Sequence, residues 1–433
     1  MKPIWISLLS AVTLAACGGN SSEDAGDQAE ALAAERAEAL RAPVAVQSYG
    51  ANPVSVWNEI AFTTVGTTPA ANADLATVHL AMYDAIIAIA GTHQPYAIRP
   101  TTSTAGLGAV AMQAAAIEAA YGVLKGVAPA GGASYETAHT NGLTALADGD
   151  DKTRGTAIGA EVAAGMLALR ANDGRNVMLA PNVPGTGPGQ FRGVNPVLRI
   201  LPSIRPFATQ SHAQFRAPGP LALGSVAYAT DFNETKTMGA GSSTQRTVEQ
   251  TEVARFHIEP PGAFWARNLR QFATASPNLA DNARLSAMIW TAYHDGVAGC
   301  FESKYHYNFW RPFSAITLAD TDGNDATAVD AAWTPVVPTP NHPEYPAAHG
   351  CASGAVMEAV RSFYGTKKLL FTFTSAVAIT LPHAFDSTDS LIREIKDARV
   401  WGGMHFRTSI EDGADLGKQV GHWVANKHFQ TVK

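Results

Sequence analysis

No excess of positive charge runs through this chain: 31 Lys and Arg stand against 37 Asp and Glu, a formal charge of −6 over 433 residues. Binding a phosphate backbone needs a net basic face, so nucleic acid is excluded as a partner. Long apolar runs are missing as well; beyond the first residues no stretch reads as long and apolar enough to span a bilayer. Alternating strand patterns are scarce and no strand–helix unit repeats, which argues against a sheet-based fold. Familiar catalytic signatures are absent too: there is no Gly-x-Ser-x-Gly elbow, no His-Glu-x-x-His helix and no phosphate-cradling glycine loop. What remains is an ordinary globular composition, 46% hydrophobic and 16% charged, which excludes disorder for most of the chain.

The N-terminus reads as an export signal. Lys2 supplies the positive start, residues 4–14 an apolar stretch too short to span a bilayer, and Leu14-Ala15-Ala16-Cys17 a small-residue cleavage site ending in cysteine. That pattern resembles a bacterial lipobox, which implies a signal peptide over residues 1–17 and lipidation of Cys17. Residues 18–45, whose Ala-, Glu-, Asp-, Ser- and Gly-rich start has no hydrophobic face, are expected as a flexible tether. The protein would then be exported and lipid-anchored, facing the periplasm or the cell exterior, with the anchor its one membrane contact. Cys300 and Cys351 remain; an exported location permits a disulfide between them, and two buried thiols fit equally well.

From Val54 onward the dominant period is helical. Leu75, Val78, Met82, Ile86 and Ile89 recur at intervals of three and four, one apolar stripe on a helix ending before Gly91. Helices are predicted at about 109–125, 133–147 and 151–172, rich in Ala and Gly and therefore closely packed. Residues 174–222 lose the period and are rich in Pro and Gly, and a long ordered loop of this kind usually serves function or a domain crossover. Helical pattern returns at about 225–238, 247–258, 262–274, 278–303, 349–364, 387–402 and 411–427. The expected fold is all-α, with an N-terminal helical region over 46–222 that includes the Pro/Gly-rich loop, and a C-terminal helical bundle over 223–433.

Three segments of the last third concentrate basic and imidazole side chains. In Lys304-Tyr-His-Tyr-Asn-Phe-Trp-Arg311-Pro312 two cations stand seven residues apart, a spacing that predicts projection from one helix face. His342-Pro-Glu-Tyr-Pro-Ala347-Ala348-His349-Gly350 is a proline-punctuated loop feeding a small-residue helix. In Arg399-Val-Trp-Gly-Gly-Met-His405 a helix delivers an arginine and a glycine pair turns the chain to present a histidine. A tetrahedral oxyanion needs several donors around its oxygens and a nitrogen in line with its central atom. Arginine forks, a lysine and a helix start meet the first need. An imidazole meets the second.

Together the segments resemble the vanadium haloperoxidase and type-2 phosphatidic acid phosphatase superfamily, whose pattern is Lys-x6-Arg-Pro, then Pro-Ser-Gly-His, then Ser-Arg-x5-His. Lys304, Arg311 and Pro312 match the first motif, and Arg399 and His405 match the basic positions of the third. Pro346 and His349 are kept in the second, but Ala347 and Ala348 replace Ser and Gly, and Ala398 replaces the Ser before Arg399. Val56-Trp57-Asn58, the segment from His79 to Ala85 and Asp231-Phe-Asn-Glu-Thr-Lys236 look like the N-terminal half of the bacterial haloperoxidase-like branch. The resemblance implies two helical bundles with the site in the C-terminal one.

It also implies roles. Lys304, Arg311, Arg399 and the Ala348 amide would bind one vanadate per chain, His405 would be its axial ligand, and His349 would manage protons as hydrogen peroxide oxidises halide. The alternative is an acid or lipid phosphatase, in which His405 attacks a phosphate ester to form a phosphohistidine and His349 protonates the leaving alcohol. His342 stands where bromide-using algal relatives also carry a histidine, which implies a third catalytic position that tunes peroxide activation or halide choice. Phe301 is expected to line the pocket. Asp295 and Glu302 read as ordinary helix carboxylates, and Asp320-x-Asp322-x-Asn324 as a turn instead of a calcium loop, since Asp325 and Ala331 fill the positions that need Gly and Glu. A homo-oligomer is compatible with the sequence but not specified by it.

Overall fold

The computed structural model describes residues 41–65, 70–376 and 381–432, together with positions 34 and 38. The signal peptide and Cys17 lie outside the described residues, as does most of the tether. Residues Pro43–Lys433 form one compact unit. Within it the chain is helical with one small sheet, as the all-α reading expects.

From Pro43 to the long loop, the described residues form five α-helices: α1 (Pro53–Val65), α2 (Ala71–Ala90), α3 (Ala109–Val127), α4 (Gly132–Thr144) and α5 (Asp150–Arg170). α2 ends at Gly91, whose φ of 65° is the left-handed C-cap that glycine adopts without a Cβ clash. Contrary to the expectation that no such run exists, α2 is long and apolar enough to cross a membrane. Its apolar window is 83% buried inside the fold, however, which makes it a core helix. α3 and α5 pack backbone against backbone, since Gly155 lies over the carbonyl of Ala111 where a Cβ would collide. The small residues of these helices therefore do what their abundance predicts.

After the loop come α6 (Val226–Gly239), α7 (Val248–Phe256), α8 (Pro261–Asn268) and the 29-residue α9 (Leu279–Tyr307), then α10 (Pro312–Thr317), α11 (Ala348–Tyr364), α12 (Thr388–Trp401) and α13 (Arg407–Lys427). α9 is buried along most of its length and packs on α2 to one side and on α11 and α13 to the other. It is the shared spine of the two helical groups. α11 and α13 make the closest pair: Gly354 and Gly417 each face a carbonyl of the opposite helix, and a side chain at either would push the helices apart. A disulfide between Cys300 and Cys351 ties α9 to α11, resolving the choice that the sequence leaves open.

The sheet was not expected. β1 (Val44–Ala45) pairs parallel with β2 (Leu369–Phe373), and β2 pairs antiparallel with β3 (His383–Phe385). Leu369, Phe371 and Phe373 face inward while Leu370 and Thr372 face out, the period-two pattern of a half-buried strand. Val44 and Ala45, within the stretch expected as tether, are thus paired to the body.

Between residues 174 and 222 the only regular element is a single 3-10 turn at Leu201–Ser203. Polar contacts hold this loop to α9. The Asp295 carboxylate accepts from the amides of Phe207, Ala208 and Thr209, each at 2.8 Å. Glu302 pairs with Arg216. Both carboxylates therefore work as loop anchors and neither touches Lys304 or Arg399.

Candidate active site

Lys304 and Arg311 do not share a helix face. α9 ends at Asn308, which takes a left-handed conformation with φ 49°, and Arg311 follows on extended backbone as the N-cap of α10. The two cations converge because both grip the same loop. Lys304 Nζ donates to the carbonyls of Pro343 and Glu344 at 2.9 and 2.8 Å, and Arg311 Nε donates to the His342 carbonyl at 2.8 Å. Tyr345–Pro346 in that loop is a cis peptide, and Ala347 then caps α11 without a side-chain bond. The first amides of α11, from Ala348 onward, have no acceptor within the helix.

α12 delivers Arg399 in its last turn. Its Nη1 donates to the His257 carbonyl at 2.7 Å, its Nη2 lies against Met404 Sδ, and its Nε is buried without a partner among the described residues. Of the glycine pair that follows, Gly403 alone needs glycine's freedom. Its φ is 74°, and a Cβ there would strike Gly239 and Pro335, whereas Gly402 continues the helical conformation. The chain then places His405 beside Arg311, with 3.0 Å between Nε2 and Nη1.

One functional residue escapes the sequence reading. Glu344 Oε1 lies 2.8 Å from His405 Nδ1 and also accepts the Phe406 amide at 3.1 Å. A carboxylate on Nδ1 fixes the imidazole tautomer, so Nε2 carries the lone pair, which accepts from Arg311 Nη1 in this structure. Glu344 and His405 side chains are each 1% exposed. The available signal was modest: Glu344 is the one carboxylate between two histidines in a loop stiffened by prolines.

The electrostatics are those of an anion site. Lys304, Arg311 and Arg399 are buried together with a single carboxylate, Glu344, among them. Burial lowers Lys304 well below its usual pKa, and the Arg311 charge adds to that. Burial likewise brings Arg311 down to about 10, and burial with the Arg311 charge brings Arg399 to about 9. The histidines are neutral for related reasons: desolvation first, then the Arg311 and Lys304 cations, hold His405 and His342 well below the ordinary imidazole value. Desolvation and Arg399 do the same for His349. Burial pushes Glu344 up to about 7 against the pull of Lys304 and Arg311.

The cluster opens into a mostly apolar cavity of about 750 Å³, whose wall includes His342, Ala348, His349, Arg399 and His405 together with Phe301 and, from the long loop, Val197 and Leu198. No carboxylate lines that wall among the described residues. Phe301 is 5.0 Å from the His342 ring, and Arg311 Nη2 lies 2.9 Å from His342 Nδ1. The cavity thus gathers all the expected groups, with Lys304 and Arg311 just behind its wall. Ala347 and Ala398 offer no hydroxyl and are fully buried, Ala347 in an apolar cluster with Val400 and Ile410. A doubly or triply charged oxyanion fits what is present: three buried cations with one carboxylate, an arginine nitrogen without a partner, open helix amides, and an imidazole nitrogen fixed as a lone-pair donor.

An all-α scaffold with a cationic, histidine-bearing cavity in its C-terminal bundle has the donors and charge to hold a tetrahedral oxyanion. Residues 284–433 match the family model described as the VCPO second helical-bundle domain. Vanadium chloroperoxidase of Curvularia inaequalis is 31% identical over 102 residues, 21% of this chain and 16% of that protein, so the match spans about a sixth of the relative's length. A bacterial vanadium-dependent iodoperoxidase structure superposes with a TM-score of 0.70 at 21% identity, covering 89% of this chain and all of that one. The apo form of a bacterial vanadium-dependent chloroperoxidase gives 0.66 at 18% identity, covering 89% and 95%. At those identities the two structures speak for the fold. The chain thus shares the fold of the bacterial vanadium haloperoxidase structures, and its residues 284–433 resemble the second helical-bundle domain of the vanadium chloroperoxidase family.

Proposed function

We propose that the protein is a vanadate-dependent haloperoxidase that oxidises halide with hydrogen peroxide, binding one vanadate per chain at His405. The observation that carries this reading is the Glu344–His405 pair set among Lys304, Arg311 and Arg399. The three cations neutralise the oxyanion's oxygens, which charge-assisted bonds in a dry site favour strongly. Glu344 holds the Nδ1 proton of His405, so that Nε2 faces the bound oxyanion as ligand. His349, at the cavity wall and neutral in the free protein, takes and returns protons as peroxide binds. His342 sits against Arg311 and Phe301, where it adjusts the polarity met by halide. Bound vanadate supplies the Lewis acidity that makes a peroxide oxygen attackable by halide. The names of the related proteins support this chemistry over phosphoryl transfer.

The test is paired. Purified protein loaded with vanadate is assayed for peroxide-dependent bromination and iodination of a reporter, and the vanadate-free form for hydrolysis of a phosphomonoester. Halogenation is expected; hydrolysis without halogenation would replace the reading with a phosphatase using a phosphohistidine. We also propose export and membrane anchoring through Cys17, a location that a Cys300–Cys351 disulfide suits. Cys17→Ser should release active protein from membranes, and continued retention would count against the anchor.

A further inference from the structure

A second cluster of ligand-type side chains lies next to Arg399, whose Nη1 donates to the backbone carbonyl of His257. His257 Nε2 is 2.8 Å from Glu394 Oε1, and His383 Nδ1 is 2.7 Å from the same oxygen. One donor atom from each of the three residues lies within 4.8 Å of the others. The donors come from three separate elements: His257 caps the end of α7, His383 begins β3, and Glu394 sits on α12. A surface pocket of about 470 Å³ opens onto His383, Glu394 and Glu252 and gives access from solvent.

Three features separate this cluster from an ordinary surface ion pair. First, the His383 ring has a carboxylate on each side, Glu394 at Nδ1 and Glu252 at Nε2 at 3.1 Å. A neutral imidazole carries one N–H and satisfies only one of them, so the arrangement calls for an added positive charge, either a proton on the ring or a cation at Nδ1. Second, neither Glu252 nor Glu394 pairs with a Lys or Arg among the described residues; their partners are the two histidines. Third, the ring orientations are held in advance. His383 stacks on Phe256 at 3.8 Å and 6°, and His257 is buried.

We propose that His257 Nε2, His383 Nδ1 and a Glu394 oxygen form a site for a divalent transition ion of the Zn2+ class, with Glu252 as the carboxylate that orients His383 and a fourth position open to water. Two imidazoles and a carboxylate are donors that suit zinc, at distances of about 2.0–2.2 Å. Tetrahedral ligation at that length needs donors about 3.3 Å apart, so Glu394 retreats by about half an ångström from each ring and the two imidazole nitrogens, now within 4.8 Å of one another, close around the ion. The ion would join the α7 terminus, β3 and α12, and His257 is the residue whose carbonyl holds Arg399 Nη1. The site is separate from the oxyanion cavity and does not depend on the activity proposed for it.

The experiment uses untagged, chelator-treated, vanadate-free full-length protein titrated with Zn2+ by calorimetry, with Co2+ absorption as a report on ligand geometry. One ion per chain is expected, with the visible absorption of four-coordinate Co2+. His383→Ala should remove the site. Glu252→Gln, a change at a half-exposed residue that leaves every ligand in place, should weaken Zn2+ binding about 10- to 100-fold. Absence of Zn2+ binding by the wild type below millimolar concentration, or unchanged binding in both variants at unchanged circular dichroism, would overturn the proposal.

Discussion

Glu344 and His405 form a fully buried carboxylate–imidazole pair, 2.8 Å apart, on segments 61 residues apart in the chain. The pair decides which nitrogen of His405 faces the cavity. Glu344→Gln keeps an acceptor for Nδ1 but removes a negative charge from among three cations. Turnover should fall about 10- to 100-fold, as for other residues that orient a ligating histidine. Binding of inorganic phosphate, which senses the charge of the site, should be retained or strengthened. Parallel loss of both in a thermal-shift titration would mean that Glu344 serves structure alone.

Arg399 has a nitrogen without a partner among the described residues and a guanidinium whose pKa is lowered by burial and by Arg311. An oxyanion supplies both the missing acceptor and the compensating charge. Arg399→Ala should weaken vanadate or phosphate binding roughly 10- to 150-fold, the equivalent of about 1.5–3 kcal/mol for a charge-assisted bond. Equal stabilisation of wild type and variant by phosphate in a melting experiment would contradict this role.

The site residues were legible in the sequence because their spacing is local: Lys304 with Arg311, the run to His349, Arg399 with His405. The geometry between segments was not. Asn308 reverses its backbone between Lys304 and Arg311, so a two-turn spacing on paper becomes two cations gripping one loop in space. Glu344 gained its role from a partner 61 positions away, and Asp295 from loop amides 86 to 88 positions away. Such contacts leave no period to read. Helix positions were recovered closely, since the apolar stripes are long. β2 escaped because five residues of alternation carry little weight in a helical chain, and α10 because six residues make under two turns.

The disulfide closes a separation of 51 residues between α9 and α11, the helices that carry Lys304 and His349. Restricting the unfolded chain by a loop of that length is worth about 4 kcal/mol. Replacing Cys300 and Cys351 together by alanine should lower unfolding free energy by that order in urea titration. An unchanged midpoint would show that the two sulfurs are not joined in the protein as produced.

His79 links the N-terminal segments to the spine. Its Nε2 meets Asn58 Oδ1 at 2.9 Å, and the same oxygen accepts from Trp290 Nε1 of α9 at 3.1 Å. Burial drives its pKa down to about 3. The unfolded chain, titrating near 6.5, binds the extra proton, so stability rises with pH between about 3 and 6.5 and is lost as pH falls through that window. Between pH 7 and pH 5 this one group removes about 2 kcal/mol. His79→Gln should flatten the acid limb by that amount relative to wild type; identical pH profiles would show that His79 accepts a proton in the folded state.

The central claim is that His405 Nε2 is the ligand on which the chemistry depends. Its most direct test is the rate of peroxide-dependent halide oxidation by vanadate-loaded His405→Ala beside the wild type, with both proteins checked for equal folding. The account predicts activity in the wild type and none above background in the variant, because His405 is the cavity histidine whose Nδ1 is held by a buried carboxylate, leaving Nε2 as the ligand. Full activity in the variant would contradict it.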